Sequence, residues 1–171
     1  MDVICQDLNK TKEIATLLAQ CVGKDGAFIA LSGAIGVGKT TFTRFLLQAL
    51  GVEQNVTSPT FVLLNEYHSD KHIPIYHFDL YRLEKEGLKT ISKELDEYIE
   101  DGKLTLIEWA NYGQNYLPEE RISLEITYGT HTKNENLRIF KFSANGKKME
   151  EIVEKLQKKI IQREKELERL C

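Results

Sequence analysis

The nine residues "GAIGVGKTT", Gly33 to Thr41, fit the pattern G-x-x-x-x-G-K-[ST], with Gly33, Gly38, Lys39 and Thr40 at the fixed places. Their setting constrains the fold more than the pattern does. Ala27 to Leu31 reads as a short buried strand, and Phe42, Phe45, Leu46, Ala49 and Leu50 recur at helical spacing as far as a capping Gly51. A glycine-rich turn from a buried strand into an amphipathic helix aims backbone N–H groups and the helix N-terminus at an anion. In that setting Lys39 reaches the outer phosphates of a nucleotide and the Thr40 hydroxyl ligates Mg²⁺.

Such a loop needs carboxylates to manage the metal and a segment that senses the γ-phosphate. Asp79 closes the apolar run "IPIYHFD" and Glu108 closes "KLTLIE", so two strand ends supply carboxylates. Between the loop and Asp79 lies "VTSPTF", Val56 to Phe61, where Pro59 stiffens a segment whose Thr57, Ser58 and Thr60 hydroxyls are candidates for a switch. His77 shares the strand face of Asp79 and reads as packing support rather than as a general base. His68 and His72 fall in an expected hairpin turn rather than on a helix, which argues against a zinc pair. Tyr67, Tyr76 and Tyr81 read as sheet aromatics.

A chain of 171 residues suits one domain with a sizeable core. Its net charge of −3 argues against holding nucleic acid by bulk electrostatics, though not against contact through a partner. Cys5, Cys21 and Cys171 are too scattered for a disulfide framework or a zinc site. "MDVICQDLNK" lacks the features of a signal peptide, and no stretch approaches a membrane span, so the expected location is cytoplasmic.

Ile14, Leu17, Leu18, Cys21 and Val22 mark a helix after the turn residues Asp7 to Thr11. "TFVLLNEYHS" and "IPIYHFDLY" read as a hairpin, Leu88, Ile91, Leu95 and Tyr98 as a helix stopping near Gly102, and "RISLEITY" with "NLRIFKFSA" as an antiparallel pair. The implied class is α/β: a P-loop NTPase-like mixed sheet flanked by helices, with the phosphate site beyond the carboxyl ends of strands. Residues 1–146 form one expected P-loop domain. Residues 147–171 form a charged C-terminal helix whose seam of Val153, Leu156, Ile160, Leu167 and Leu170 is expected on its own domain, with a coiled-coil contact to a partner or a second copy as the alternative.

"GAIGVGKTTFTR", "SPTFVLLNEY", "HFDLYRL" and "LIEW", in this order and spacing, resemble the TsaE (YjeE) family of bacterial ATPases from about Thr11 to Ala144. The resemblance implies Mg²⁺-dependent ATP binding and hydrolysis in the formation of N6-threonylcarbamoyladenosine in tRNAs that read codons beginning with A. It also implies association with TsaB and TsaD, with tRNA met only through that complex. Carried over by position, Gly36, Val37, Gly38, Lys39, Thr40 and Thr41 bind phosphates, Thr40 and Glu108 hold Mg²⁺, and "SPTF" is a first switch. Asp79 is a Walker-B-like residue of a second switch, Trp109 sits at the site, and Thr11 and Arg138 touch the nucleotide.

No N-K-x-D guanine signature follows the loop. With few arginines before the C-terminal helix, Arg82 being the nearest candidate finger, hydrolysis by the chain alone is expected to be slow and partner-stimulated. The alternatives are a small-molecule P-loop kinase, which would need an arginine-rich lid, and a non-catalytic adaptor whose docking surface ATP reshapes.

Overall fold

The computed structural model describes residues 1–69, 74–84, 98, 103–129 and 134–169. The expected hairpin turn at 70–73, the helix marked by Leu88, Ile91 and Leu95, its stop at Gly102, and Leu170 lie outside the described residues.

In chain order the elements are β1 (Asp2–Cys5), α1 (Leu8–Val22), β2 (Ala27–Ser32), α2 (Lys39–Ala49), β3 (Leu64–His68), β4 (Pro74–Asp79), β5 (Leu104–Glu108), β6 (Arg121–Tyr128), β7 (Arg138–Asn145) and α3 (Lys147–Glu168). Among the described residues the strands form one seven-stranded sheet in the order β1-β7-β6-β2-β5-β4-β3. The central strands β6, β2, β5 and β4 run parallel, with β3 and β7 antiparallel to their neighbours. This is the expected mixed α/β sheet, and the parallel centre explains its apolar strands: β2 and β5 are covered on both faces.

Ile29, Leu31, Leu106 and Leu124 meet Ile14, Leu18, Phe42 and Leu46 of the helices on one face, while Phe28, Ala30, Phe78 and Ile107 form a second core on the other. The Asp7 side chain caps α1 by accepting from the Lys10 N–H at 2.8 Å, so the helix begins earlier than the apolar spacing implied. α2 ends before Gly51, whose φ of 86° is the left-handed stop expected there.

Three local expectations are revised. β1 was not foreseen. β3 begins at Leu64 rather than Thr60, because Leu63 is left-handed at φ 72° and the residues before it form a turn in which the Val62 and Leu63 N–H groups both donate to the Pro59 carbonyl. The buried seam of α3 is Met149, Ile152, Leu156 and Ile160, packed on α1, β6 and β7; Val153 is half-buried and Leu167 is exposed. No described helix is long and apolar enough to cross a membrane.

Candidate functional site

The loop between β2 and α2 is shaped by close approach. A Cβ on Gly33, at φ 140°, would lie 2.3 Å from the Ile126 carbonyl oxygen of β6, so only glycine passes there. Two side chains then hold the loop from behind. Tyr128 donates its hydroxyl to the Ile35 carbonyl at 3.1 Å, and Arg138 donates Nε–H to the Val37 carbonyl at 3.0 Å while lying 4.4 Å over the Tyr128 ring. In a trans peptide the C=O and the following N–H point in opposite directions. Holding those two carbonyls toward β6 and β7 therefore turns the N–H groups of Gly36 and Gly38 the other way, and both glycines line the cleft.

The Lys39 ammonium is buried, donating to the Gly33 and Ala34 carbonyls at 2.8 and 3.0 Å and lying 3.6 Å over the Trp109 ring. Burial pulls its pKa below the ordinary lysine value, with the charges of Glu108 and Asp79 acting in the opposite sense. The ammonium thus waits in the loop on neutral partners that a phosphate can replace.

Parallel pairing of β4 with β5 sets Asp79 directly beside Glu108 at the carboxyl ends of both strands. Each carboxylate is buried and occupied on both oxygens. Glu108 accepts from Thr40 Oγ1 at 2.7 Å on Oε2, and its Oε1 lies 2.8 Å from His77 Nε2. Asp79 Oδ2 accepts from Ser58 at 2.5 Å and Thr60 at 2.6 Å, while Oδ1 accepts the Tyr81 N–H at 2.9 Å. Thr40 and Glu108 together present a hydroxyl and a carboxylate oxygen in contact, the hard donors that Mg²⁺ takes beside phosphate and water oxygens. The donor set fits that ion.

A cleft of about 380 Å³ gathers Gly36, Gly38, Lys39, Thr40, Thr41, Ser58, Thr60, Asp79, Glu108 and Trp109 on its walls. A larger groove of about 780 Å³ between the start of α1 and the end of α3 has no such convergence of loop glycines and strand-end carboxylates. Gly33 and Val37 belong to the loop but lie beneath it, Val37 being buried.

Four expected residues stand off the cleft walls. Thr11 donates its hydroxyl to the Asp7 carbonyl inside the first turn of α1. Arg138 braces the loop rather than the cleft, Thr57 accepts at its carbonyl from Asn65 Nδ2, and Arg82 lies 5.6 Å over Phe61. Conversely, Ile35 and Tyr81 line the cleft unforeseen. Tyr81 is not a sheet aromatic: it opens a 3₁₀ turn after β4 and packs 4.9 Å from Trp109, itself stacked on Tyr112.

The family described as threonylcarbamoyl adenosine biosynthesis protein TsaE matches residues 5–137. A tRNA threonylcarbamoyladenosine biosynthesis protein TsaE from Bacillus subtilis is 37% identical over 86% of this chain and 87% of its own length. Its counterpart from Haemophilus influenzae is 39% identical over 72% and 77%. Among solved structures, Bacillus subtilis YdiB superposes with a TM-score of 0.73 at 33% identity, covering 92% of this chain and 94% of that one. With the loop, the paired carboxylates and these matches agreeing over most of its length, the chain belongs to the TsaE family.

Proposed function

We propose that this chain binds ATP with Mg²⁺ and hydrolyses it to drive or reset the TsaB–TsaD complex during formation of N6-threonylcarbamoyladenosine in tRNA. The observation that carries the reading is the adjacency of Asp79 and Glu108 in the β4–β5 register, with Glu108 already on the Thr40 hydroxyl at the mouth of a phosphate loop. Two buried carboxylates of this kind divide the work.

Thr40 and Glu108 would hold Mg²⁺, which when bound neutralises charge on the β- and γ-phosphate oxygens. Lys39 leaves the Gly33 and Ala34 carbonyls for the γ-phosphate. Asp79, once its hydroxyl partners move, accepts a hydrogen bond from water and orients it in line with the bond to be broken. Ser58 and Thr60 connect that carboxylate to the switch, so the γ-phosphate and the segment at 57–63 compete for one site.

Among the described residues no arginine lines the cleft, Arg82 being turned to Phe61. The reading therefore includes slow turnover alone and a charge or closure supplied by partners. ATP hydrolysis by the purified chain, with and without TsaB and TsaD and with Lys39→Ala as the blank, tests it. A slow, Lys39-dependent rate that rises about tenfold or more with both partners is expected, still below the largest activator effects known for such enzymes. A rate indifferent to both partners, or phosphate passed to a small acceptor without them, overturns it.

A further inference from the structure

His77 is fully buried on β4, two residues before Asp79 and on the same face. One ring nitrogen, Nε2, lies 2.8 Å from Glu108 Oε1. The other, Nδ1, is buried without a hydrogen-bond partner among the described residues. An ionised carboxylate only accepts, so Nε2 carries the proton and donates it, which leaves Nδ1 unsatisfied. An imidazole kept half-satisfied opposite Leu106 and near Tyr67 is a poorer core residue than an aliphatic one. Its use lies in the bond that it does make.

That bond has a geometric consequence. Glu108 is held from two directions, by Thr40 on Oε2 and by His77 on Oε1. A metal at Thr40 would take a lone pair of the hydroxyl, whose O–H could still donate to Oε2, and His77 would fix the Oε1 side of the carboxylate. Tyr67 packs near the imidazole, with ring centroids 6.4 Å apart, and its hydroxyl donates to the Thr57 carbonyl at 3.4 Å, so the ring is confined from the switch side as well.

We infer that His77 is a positioning residue that fixes the Glu108 carboxylate for divalent-cation binding. The inference rests on the Mg²⁺-dependent nucleotide reading above and adds to it a residue outside the cleft walls. A ligand carboxylate is itself anchored by a hydrogen bond in well-formed metal sites, and loss of such an anchor typically weakens metal affinity about 10–100-fold.

The test is binding of a fluorescent ATP analogue as Mg²⁺ is varied, and again in EDTA, for the full chain. For His77→Leu the Mg²⁺ concentration needed for half-maximal effect should rise about 10–100-fold, with binding in EDTA unchanged. His77→Gln, whose side-chain amide restores a donor, should return it to within roughly threefold of the original. An unchanged Mg²⁺ requirement in His77→Leu overturns the role of His77 and leaves the nucleotide reading standing. Equal loss with and without Mg²⁺ also overturns it, as a merely structural effect. If the original chain binds the analogue with no response to Mg²⁺, both readings fall together. Should His77→Leu not fold, the imidazole tautomer of the original chain decides, read from long-range ¹H–¹⁵N correlations: a proton on Nε2 is expected, and a neutral ring protonated on Nδ1 overturns the inference.

Discussion

The phosphate loop and the switch segment face each other across one cleft but are held in opposite ways. The loop is fixed through its backbone: Gly33 is threaded past the Ile126 carbonyl, and the Ile35 and Val37 carbonyls are tied to Tyr128 and Arg138. The segment at 57–63 is anchored at its start by Arg44, which donates to the Val56 carbonyl. Beyond that the Thr57 carbonyl accepts from Asn65 and the Tyr67 hydroxyl, the Leu63 carbonyl accepts the Asp79 N–H, and between them the Ser58 and Thr60 hydroxyls are held at Asp79. Its tip exposes Phe61 and Val62, at 85% and 67%, and then turns through left-handed Leu63. A left-handed leucine stores about 1–2 kcal/mol of backbone strain. The cradle is braced through its backbone, whereas the segment at 57–63 meets Asp79 through hydroxyl contacts that, under the proposed function, a γ-phosphate and its metal would take over.

Gly33→Ala attacks the rigid half and carries the largest expected effect. A side chain there meets both a positive φ and a backbone oxygen, so destabilisation of about 3 kcal/mol or more is expected, roughly 6–12 °C in Tm for a chain of this size. Thermal unfolding checks it. A loss confined to nucleotide affinity, with Tm unmoved, would mean that the loop yields as easily as the switch and would erase the contrast.

Asp79→Ala attacks the anchor of the segment at 57–63. Hydrolysis should fall about 100-fold, the scale of losing a group that orients or deprotonates water. Stability should fall by about 1–3 kcal/mol as the Ser58 and Thr60 hydroxyls and the Tyr81 N–H lose their acceptor. Proteolysis next to the exposed Phe61 should quicken while ATP binding survives. Retention of tRNA-modifying activity alongside lost hydrolysis would favour the adaptor reading, in which ATP only shapes a docking surface.

The phosphate loop was more legible in the sequence than the segment at 57–63, for a physical reason. Ala27–Ser32, the loop and α2 are neighbours in the chain, so their order and apolar spacing already imply the cradle. The apolar letters Phe61, Val62 and Leu63 imitated the start of a strand, yet the Pro59 turn and the pull of Asp79 on Thr60 prevail over β-propensity there. β1 escaped notice because only Val3 and Cys5 of its four residues face inward. Asp79 and Glu108 were recognisable as strand ends, but their adjacency, and the contact of His77 with Glu108, depend on a register between β4 and β5 that local patterns do not carry. The bracing of the loop by Arg138 was equally hidden, since it depends on the β6–β7 pairing that sets Arg138 beside Tyr128.

Tyr128→Phe gives the smallest effect and the finest test of the contrast. The ring stays beneath Arg138 and only the hydroxyl bond to Ile35 is lost. Tyr128 is 43% exposed, so water can serve the freed carbonyl and the loss in stability should be no more than about 0.5–1 kcal/mol. If the loop owes its ready-made shape to such backbone bracing, freeing one carbonyl lets the Ile35–Gly36 peptide rotate. The Gly36 N–H is then ordered only on binding, which should lower nucleotide affinity by about two- to fivefold. Calorimetric titration with ATP and Mg²⁺ measures this, and the added ordering should appear as a less favourable binding entropy. Unchanged affinity would show that the Gly33 passage, the Arg138 bond to Val37 and the α2 N-terminus hold the cradle without the Tyr128 hydroxyl. The rigid half would then draw on the β6–β7 hairpin through Ile126 and Arg138 without the Tyr128 hydroxyl.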